Sequence, residues 1–438
     1  MPGATAAVLL FLPVVFRWVL PVSIENSLSF YPGGVAVPVV DFVYVFLPFM
    51  YWRAYGNRMR FLLGWGLALL LWSIAISALR DPWFDFSCLV AALDSYFPII
   101  LVVLVHLTPS SGKVLKIPLV GILIYMCVEI VLYASGVLTR DVPIGQVMER
   151  TTMLRIYTTM GAPPGSGLTI AMIFALYWEL SNSRDQLGRS IAVICALVSL
   201  ALLLSRGAMI IVAVAVALRT LANPASLRRW FTQFWTLRGL VATVVVVLAV
   251  TVSLFCVGRE LAARFESLAT GDPSVSGRSD HWQRSFQVHS DPAYLGKGVN
   301  NIDPRGRVNS YRFLDWSAAS HNAYLMVWYE TGGIGLALFV GMLLHWILRE
   351  IRRLRNAFGF WLMVAYVTVG FITESCVLSL EYMVLALSLM SVLSNTRVSA
   401  PAARVSPSGP YNRCAANASH DKPAALRVSR WDLQVHSR

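Results

Sequence analysis

Charge is what this sequence lacks. Asp, Glu, Lys and Arg make up 13% of the residues and hydrophobic types 57%, where a soluble domain carries about 25% charged and about 45–50% apolar residues. A chain so poor in charge cannot cover a water-facing surface, which excludes a purely cytosolic enzyme. Cysteine is scarce as well. Of the six present, Cys88, Cys127, Cys195, Cys256 and Cys376 lie in apolar runs and Cys414 lies in a polar tail, which argues against a disulfide framework. There is no glycine-rich phosphate loop, no metal-binding cysteine or histidine spacing, no Asp-x-Asp pair and no internal repeat, so neither a cofactor nor a metal is expected. The N-terminal apolar stretch has no basic region before it and no small-residue cleavage site after it, and it reads as a retained span rather than a signal peptide.

What the chain has in abundance is apolar runs of membrane-spanning length, about 20 residues each. Twelve lie near 4–21, 35–52, 61–79, 87–107, 117–135, 165–181, 189–205, 207–221, 239–257, 322–347, 358–373 and 377–393. Only Ser205-Arg206-Gly207 divides the seventh from the eighth, so a tight turn is expected there. The formal charge of +13, which in a soluble protein would point to nucleic acid, reads here as a topology signal, because Lys and Arg gather in cytoplasmic loops. With both termini cytoplasmic, 22 of the 36 basic residues fall inside, and eight of the others share one long outer loop where the rule is weak. The expected architecture is an all-α polytopic membrane helix bundle of about twelve transmembrane helices. The membrane domain covers 1–393, with outer loops at 136–164 and 258–320, the larger containing short helices, and 394–438 reads as a disordered cytoplasmic tail. The longer loop has 63 residues, too few for a nucleotide-sugar or dinucleotide domain built from repeated strand-helix units.

Where charge is so sparse, polar residues at the outer face carry the chemical information. The densest group is Ser320-His321-Asn322-Ala323-Tyr324-Leu325, followed by Trp328-Tyr329-Glu330-Thr331-Gly332-Gly333-Ile334-Gly335-Leu336. With an ordinary pKa of about 6.5, a histidine at the water-lipid boundary can be neutral and accept a proton, so His321 is placed like a general base; an interfacial histidine that caps or anchors a helix is the alternative. Glu330, roughly 13 Å deeper along a helix, is expected as a buried hydrogen-bonding partner, and Gly332, Gly333 and Gly335 as sites of close helix packing. Three outer arginines come next: Arg206 between the seventh and eighth spans, Arg278 in Arg278-Ser279-Asp280-His281-Trp282, and Arg155 ahead of Gly161-Ala162-Pro163-Pro164-Gly165. A guanidinium fork matches phosphate oxygens, so converging arginines would grip an anionic head group; snorkelling or loop anchoring is the alternative for each. His106 and His345 read as interfacial anchors. Asp41, Asp94, Glu129, Glu374 and Glu381 lie in or beside spans, and would serve proton coupling in a transporter.

These residues resemble a known family. His321-Asn322-x-Tyr324-Leu325 with Glu330-x-Gly332-x-x-Gly335-Leu336 is similar to the hallmark of the O-antigen ligase and polymerase family of bacterial membrane glycosyltransferases. Gly277-Arg278-x-x-x-Trp282 with Pro292 and Gly296-x-Gly298 resembles a second landmark, the leucine-rich run ending Ser205-Arg206-Gly207 a third, and Arg155 with the Gly-Pro stretch a fourth. The resemblance covers about residues 150–345.

It implies a multi-pass enzyme of the bacterial inner membrane, with both termini cytoplasmic, that works on the periplasmic face. Such an enzyme takes a glycan from undecaprenyl diphosphate and passes it to lipid A-core or to another glycan, as a metal-independent inverting glycosyltransferase. His321 would be the catalytic residue. Arg206, Arg278 and Arg155 would bind the diphosphate, and Asn322, Tyr324 and Glu330 would support the site. O-antigen ligase is the leading expectation and a repeat-unit polymerase the alternative. A lipid-linked glycan flippase or transporter is the rival of a different class. Membrane lipids are implied as surroundings, and no nucleic-acid partner.

Overall fold

The computed structural model describes residues 2–19, 29–30, 37–50, 58–80, 86–135, 137, 163–181, 185–203, 205–224, 295–296, 298–299, 322–373 and 380–396. Over these the chain is helical, apart from turns and a two-residue antiparallel bridge pairing Ser29–Phe30 with Val37–Pro38. The helices are α1 (Pro2–Val19), α2 (Phe42–Met50), α3 (Phe61–Arg80), α4 (Phe86–Val105), α5 (Lys116–Ala134), α6 (Pro163–Leu180), α7 (Gln186–Leu203), α8 (Arg206–Ala222), α9 (Ala323–Leu354), α10 (Phe358–Ala365) and α11 (Leu380–Asn395). Four stretches are long and apolar enough to cross a membrane by length and composition: Phe61–Leu79, Pro109–Ala134, Gln186–Leu203 and Ala323–Leu354.

Hydrocarbon offers no hydrogen bonds to the backbone, so an apolar run of this length satisfies its own N–H and C=O groups by coiling into a helix. Eleven of the twelve runs read from the sequence coincide at least in part with these helices. The second starts later than expected, because the bridge and a 3₁₀ turn at Val39–Asp41 take its first residues. The ninth, at 239–257, lies outside the described residues, as do most of the expected loops at 136–164 and 258–320 and the tail beyond Thr396. At the expected tight turn α7 ends at Leu203 and Ser205, with extended backbone, occupies the N-cap position of α8 without a side-chain capping bond, so Arg206 is the first residue of a helix rather than part of a turn.

The core follows from which helices are apolar on every side. From Gly165 to Ile173 in α6, and from Met383 to Ser394 in α11, every residue is buried, so these two form the centre. α11 packs against α4 and α6; α3 lies along α4, α5 along α7, and α8 along α10. Cys127 of α5 and Cys195 of α7 meet as free thiols.

One end of the bundle collects the basic segments. Lys116 pairs with Asp185 at 2.6 Å, and Asn223 Nδ2 donates to Asn356 Oδ1 at 2.6 Å. Asn395 accepts from Arg58 N–H at 3.4 Å and donates to the Leu107 carbonyl at 3.2 Å. Arg353 donates to Glu350 at 2.6 Å and to the Thr396 and Leu393 carbonyls at 2.7 and 2.9 Å, closing the end of α11. Glu179 accepts from the Gly359 amide at 2.9 Å. His345 at this end accepts from Trp65 Nε1 at 3.3 Å and lies 4.4 Å from the Phe61 ring. The segments assigned to one side by their Lys and Arg content therefore meet one another through direct contacts.

Candidate functional site

The opposite end is where α9 begins. Asn322 adopts extended backbone and its side-chain oxygen accepts from the Leu325 amide at 3.1 Å. It is an N-cap, satisfying one of the four amides that a helix start leaves without partners. Its preceding residue, His321, is thereby placed immediately outside the helix in sequence, although His321 itself, Arg278 and Arg155 lie outside the described residues. Arg206 opens α8, and its side chain also lies outside them.

Tyr324 in the first turn and Glu330 about two turns along define what the helix start is fastened to. The Tyr324 hydroxyl donates to the Val367 carbonyl at 2.7 Å. That carbonyl belongs to a π-turn, Tyr366–Gly370, that continues α10; widening of a helix by one residue often accompanies function. Tyr324 also packs against Phe339 and Phe371, and those two rings stack at 5.7 Å. The π-turn faces α8 on its other side, since Gly370 lies against Ile211. Tyr324 near the start of α9 and Ile211, five residues into α8 from Arg206, thus flank one π-turn.

Glu330 is 1% exposed and sits at a break in α9. Gly332 has φ 71° and ψ −172°, outside the helical region, in a conformation that only glycine adopts without strain. The glycines expected to serve close packing therefore divide their roles: Gly332 breaks the helix, whereas Gly335 packs tightly under Thr331 and Trp72. A break leaves carbonyls in the preceding turn without helical donors, and in an apolar surrounding they need others. The Glu330 carbonyl accepts from the Gly298 amide at 2.9 Å. The Thr331 carbonyl accepts from Trp72 Nε1 of α3 at 2.8 Å. Tyr96 of α4, fully buried, lies beside the Glu330 carboxylate and Thr331.

The residues of the 258–320 loop described at this break are held as firmly. Gly296 and Gly298 have φ of 77° and 96°, and a Cβ on Gly296 would collide with the Glu330 carbonyl and the Gly332 nitrogen. The Val299 amide donates to Ser77 Oγ of α3 at 2.8 Å, with both residues fully buried. Gly296-x-Gly298 and Glu330-x-Gly332, 34 residues apart, are two halves of one contact. A second pair of motifs also meets. Pro163 and Pro164 open α6, where their missing amides cost nothing, and Gly167 just behind them lies against Ser205 and Ala208 at the start of α8.

Trp72, Ser77, Tyr96 and the π-turn were not anticipated from sequence. The available signal was Ser73 and Ser77, four apart and so on one face of a helix otherwise almost free of polar groups. Among the described residues, no group of three or more His, Cys, Asp or Glu could hold a metal ion.

A family model described as O-antigen ligase matches residues 191–340, about a third of the chain. It covers Ser205-Arg206-Gly207, Gly277-Arg278, Gly296-x-Gly298 and His321 through Gly335, and leaves Arg155 outside. No curated protein and no solved structure gives a match. The resemblance read from the motifs is borne out over residues 191–340, where the match supports the O-antigen ligase/polymerase family. Its apolar helices and this match point to a multi-pass membrane protein, and the matched domain to activity of the glycosyltransferase type.

Proposed function

We propose that this protein is an O-antigen ligase of the bacterial inner membrane. In this reading it has about twelve spans, cytoplasmic termini and a periplasmic site, and moves a glycan from undecaprenyl diphosphate to lipid A-core. The observation that carries the reading is the Gly298–Glu330 contact inside the O-antigen ligase domain. It ties the outer loop that bears Arg278 to the helix whose start follows His321, so two distant parts of the domain converge on one end of the bundle.

The chemistry is a direct displacement at the anomeric carbon. The acceptor hydroxyl oxygen attacks from the face opposite the diphosphate, its proton passes to neutral His321, and the bond from carbon to diphosphate oxygen breaks with inversion. Arginine charge close to His321 would disfavour the imidazolium and keep it a base at neutral pH. Arg206 and Arg278, with Arg155, bind the diphosphate and stabilise the charge that develops on it. Unit charges about 4 Å apart at an effective dielectric near 20 interact by roughly 4 kcal/mol, so two or three guanidinium groups can do this without a metal. Asn322 fixes the helix start, and Tyr324 and Glu330 hold that helix in place.

Deleting the gene and resolving the lipopolysaccharide on a gel tests the assignment. A ligase leaves core without any O-antigen and lets lipid-linked polymer accumulate. Cores capped with a single repeat would instead identify an O-antigen polymerase, and unchanged lipopolysaccharide with lost exopolysaccharide an exopolysaccharide polymerase. Unchanged glycans of both kinds would contradict the proposal.

A further inference from the structure

Helix α3 supplies no residue to any of the motifs, yet it holds two of them. Ser77 Oγ donates to the Ser73 carbonyl in its own helix at 2.8 Å and accepts from the Val299 amide at 2.8 Å. Trp72, five residues earlier, donates to the Thr331 carbonyl at the break in α9 at 2.8 Å. Between them the Gly298 amide reaches the Glu330 carbonyl at 2.9 Å. The three bonds form a closed tie between α3, Gly298–Val299 of the 258–320 loop and the first half of α9. All three satisfy backbone groups that water does not reach, since Ser77, Val299, Glu330 and Thr331 are each no more than 1% exposed.

We propose that Ser77 and Trp72 are positioning residues for glycan transfer: α3 is the strut that sets the outer loop against the start of α9. This rests on the proposed function, and adds residues that no motif contains. Neither side chain touches substrate. Ser77 fixes the 258–320 loop at Val299, and Trp72 fixes the direction of the half-helix 323–331, which follows His321 in sequence. Because reacting groups misplaced by about 1 Å can lose about a hundredfold in rate, loosening the tie lowers the rate of the chemical step more than it weakens donor binding.

The test uses purified full-length protein in proteoliposomes, with undecaprenyl-diphosphate-linked O-antigen as donor and lipid A-core as acceptor. Ser77→Ala and Trp72→Phe are each expected to lower kcat about tenfold while changing the donor KM less than about threefold. Ser73→Ala is the control. It removes an equally buried hydroxyl one turn away, whose only bond shown is to the Leu70 carbonyl of its own helix, and it should leave both constants unchanged. Wild-type kcat in Ser77→Ala and Trp72→Phe would overturn the inference, and so would an equal loss in Ser73→Ala. If Ser77→Ala does not accumulate in membranes, Trp72→Phe carries the comparison, since it keeps an aromatic ring and removes the donor. Wild-type protein and His321→Ala run alongside separate the claims: no transfer by wild type sinks the proposed function and full activity in His321→Ala sinks the assignment of the base, whereas wild-type transfer with unaffected Ser77→Ala and Trp72→Phe sinks only the strut.

Discussion

The Gly298 amide donates to the Glu330 carbonyl at 2.9 Å, and this bond exists because α9 is broken two residues later. A continuous helix would use that carbonyl internally. The break at Gly332 makes it available, and Gly298 takes it. Conformation at one glycine thereby determines where a loop docks, which links local backbone geometry to the layout of the site.

Replacing Gly332 by Ala should therefore be costly in both stability and activity. A non-glycine residue with this φ/ψ costs on the order of 1–3 kcal/mol, and relief by continuing the helix would withdraw the carbonyls that Gly298 and Trp72 engage. Gly332→Ala is expected to melt at lower temperature in detergent and to lose transfer activity at temperatures where it remains folded. An unchanged melt with full activity would show that the break is dispensable.

Asn322 acts as an N-cap, so the effect of replacing it depends on whether the new side chain can accept a hydrogen bond. Asn322→Ala should cost about 1 kcal/mol, whereas Asn322→Asp keeps the acceptor and should retain most of it. Thermal unfolding of the two variants side by side makes the comparison. Equal losses in both would argue for a role other than capping.

How much of this was legible in the sequence varied with the kind of information involved. Helices could be read because an apolar run in lipid has one way to satisfy its backbone. The common end of the basic segments could be read from Lys and Arg content. Ser205-Arg206-Gly207 correctly marked a boundary, although only cap geometry shows that Arg206 begins a helix rather than occupying a turn. The pairing of Gly296-x-Gly298 with Glu330-x-Gly332 was not legible, because each motif is local and their contact depends on a three-dimensional break. Gly332 looked like a packing glycine since small residues at helical spacing serve that purpose more often. Trp72 and Ser77 were invisible for a related reason: a Trp and a Ser in an apolar helix are ordinary, and their importance comes from two backbone groups on other segments.

Tyr324→Phe isolates one hydrogen bond. The variant keeps the ring between Phe339 and Phe371 but leaves the Val367 carbonyl of the π-turn without its 2.7 Å donor. An unsatisfied buried acceptor costs about 1–3 kcal/mol. A lower melting temperature with near-normal expression is expected, and a melt identical to wild type would show that the carbonyl has another donor.

At the basic end, the hydrogen-bonded Lys116 ammonium is the main cause that holds the Asp185 carboxyl below the usual carboxylate range. A depressed folded-state pKa contributes stability that is fully present above the unfolded value of about 3.9 and lost as pH falls through the folded value. Asp185 is 31% exposed, so screening keeps the contribution below about 1 kcal/mol. The stability gap between wild type and Asp185→Asn should be small at pH 7 and shrink below about pH 4. A gap that widens with acid would have the wrong sign.

The central claim is that one end of this bundle transfers glycan, with His321 as base and Arg206 as diphosphate ligand. Its most direct test is the rate of glycan transfer from undecaprenyl diphosphate to lipid A-core in proteoliposomes containing His321→Ala or Arg206→Ala. Loss of a general base typically costs about 10²–10⁴-fold, so a loss of that order is expected for His321→Ala together with a severe loss for Arg206→Ala, both at normal protein levels. Wild-type rates in both variants would contradict it.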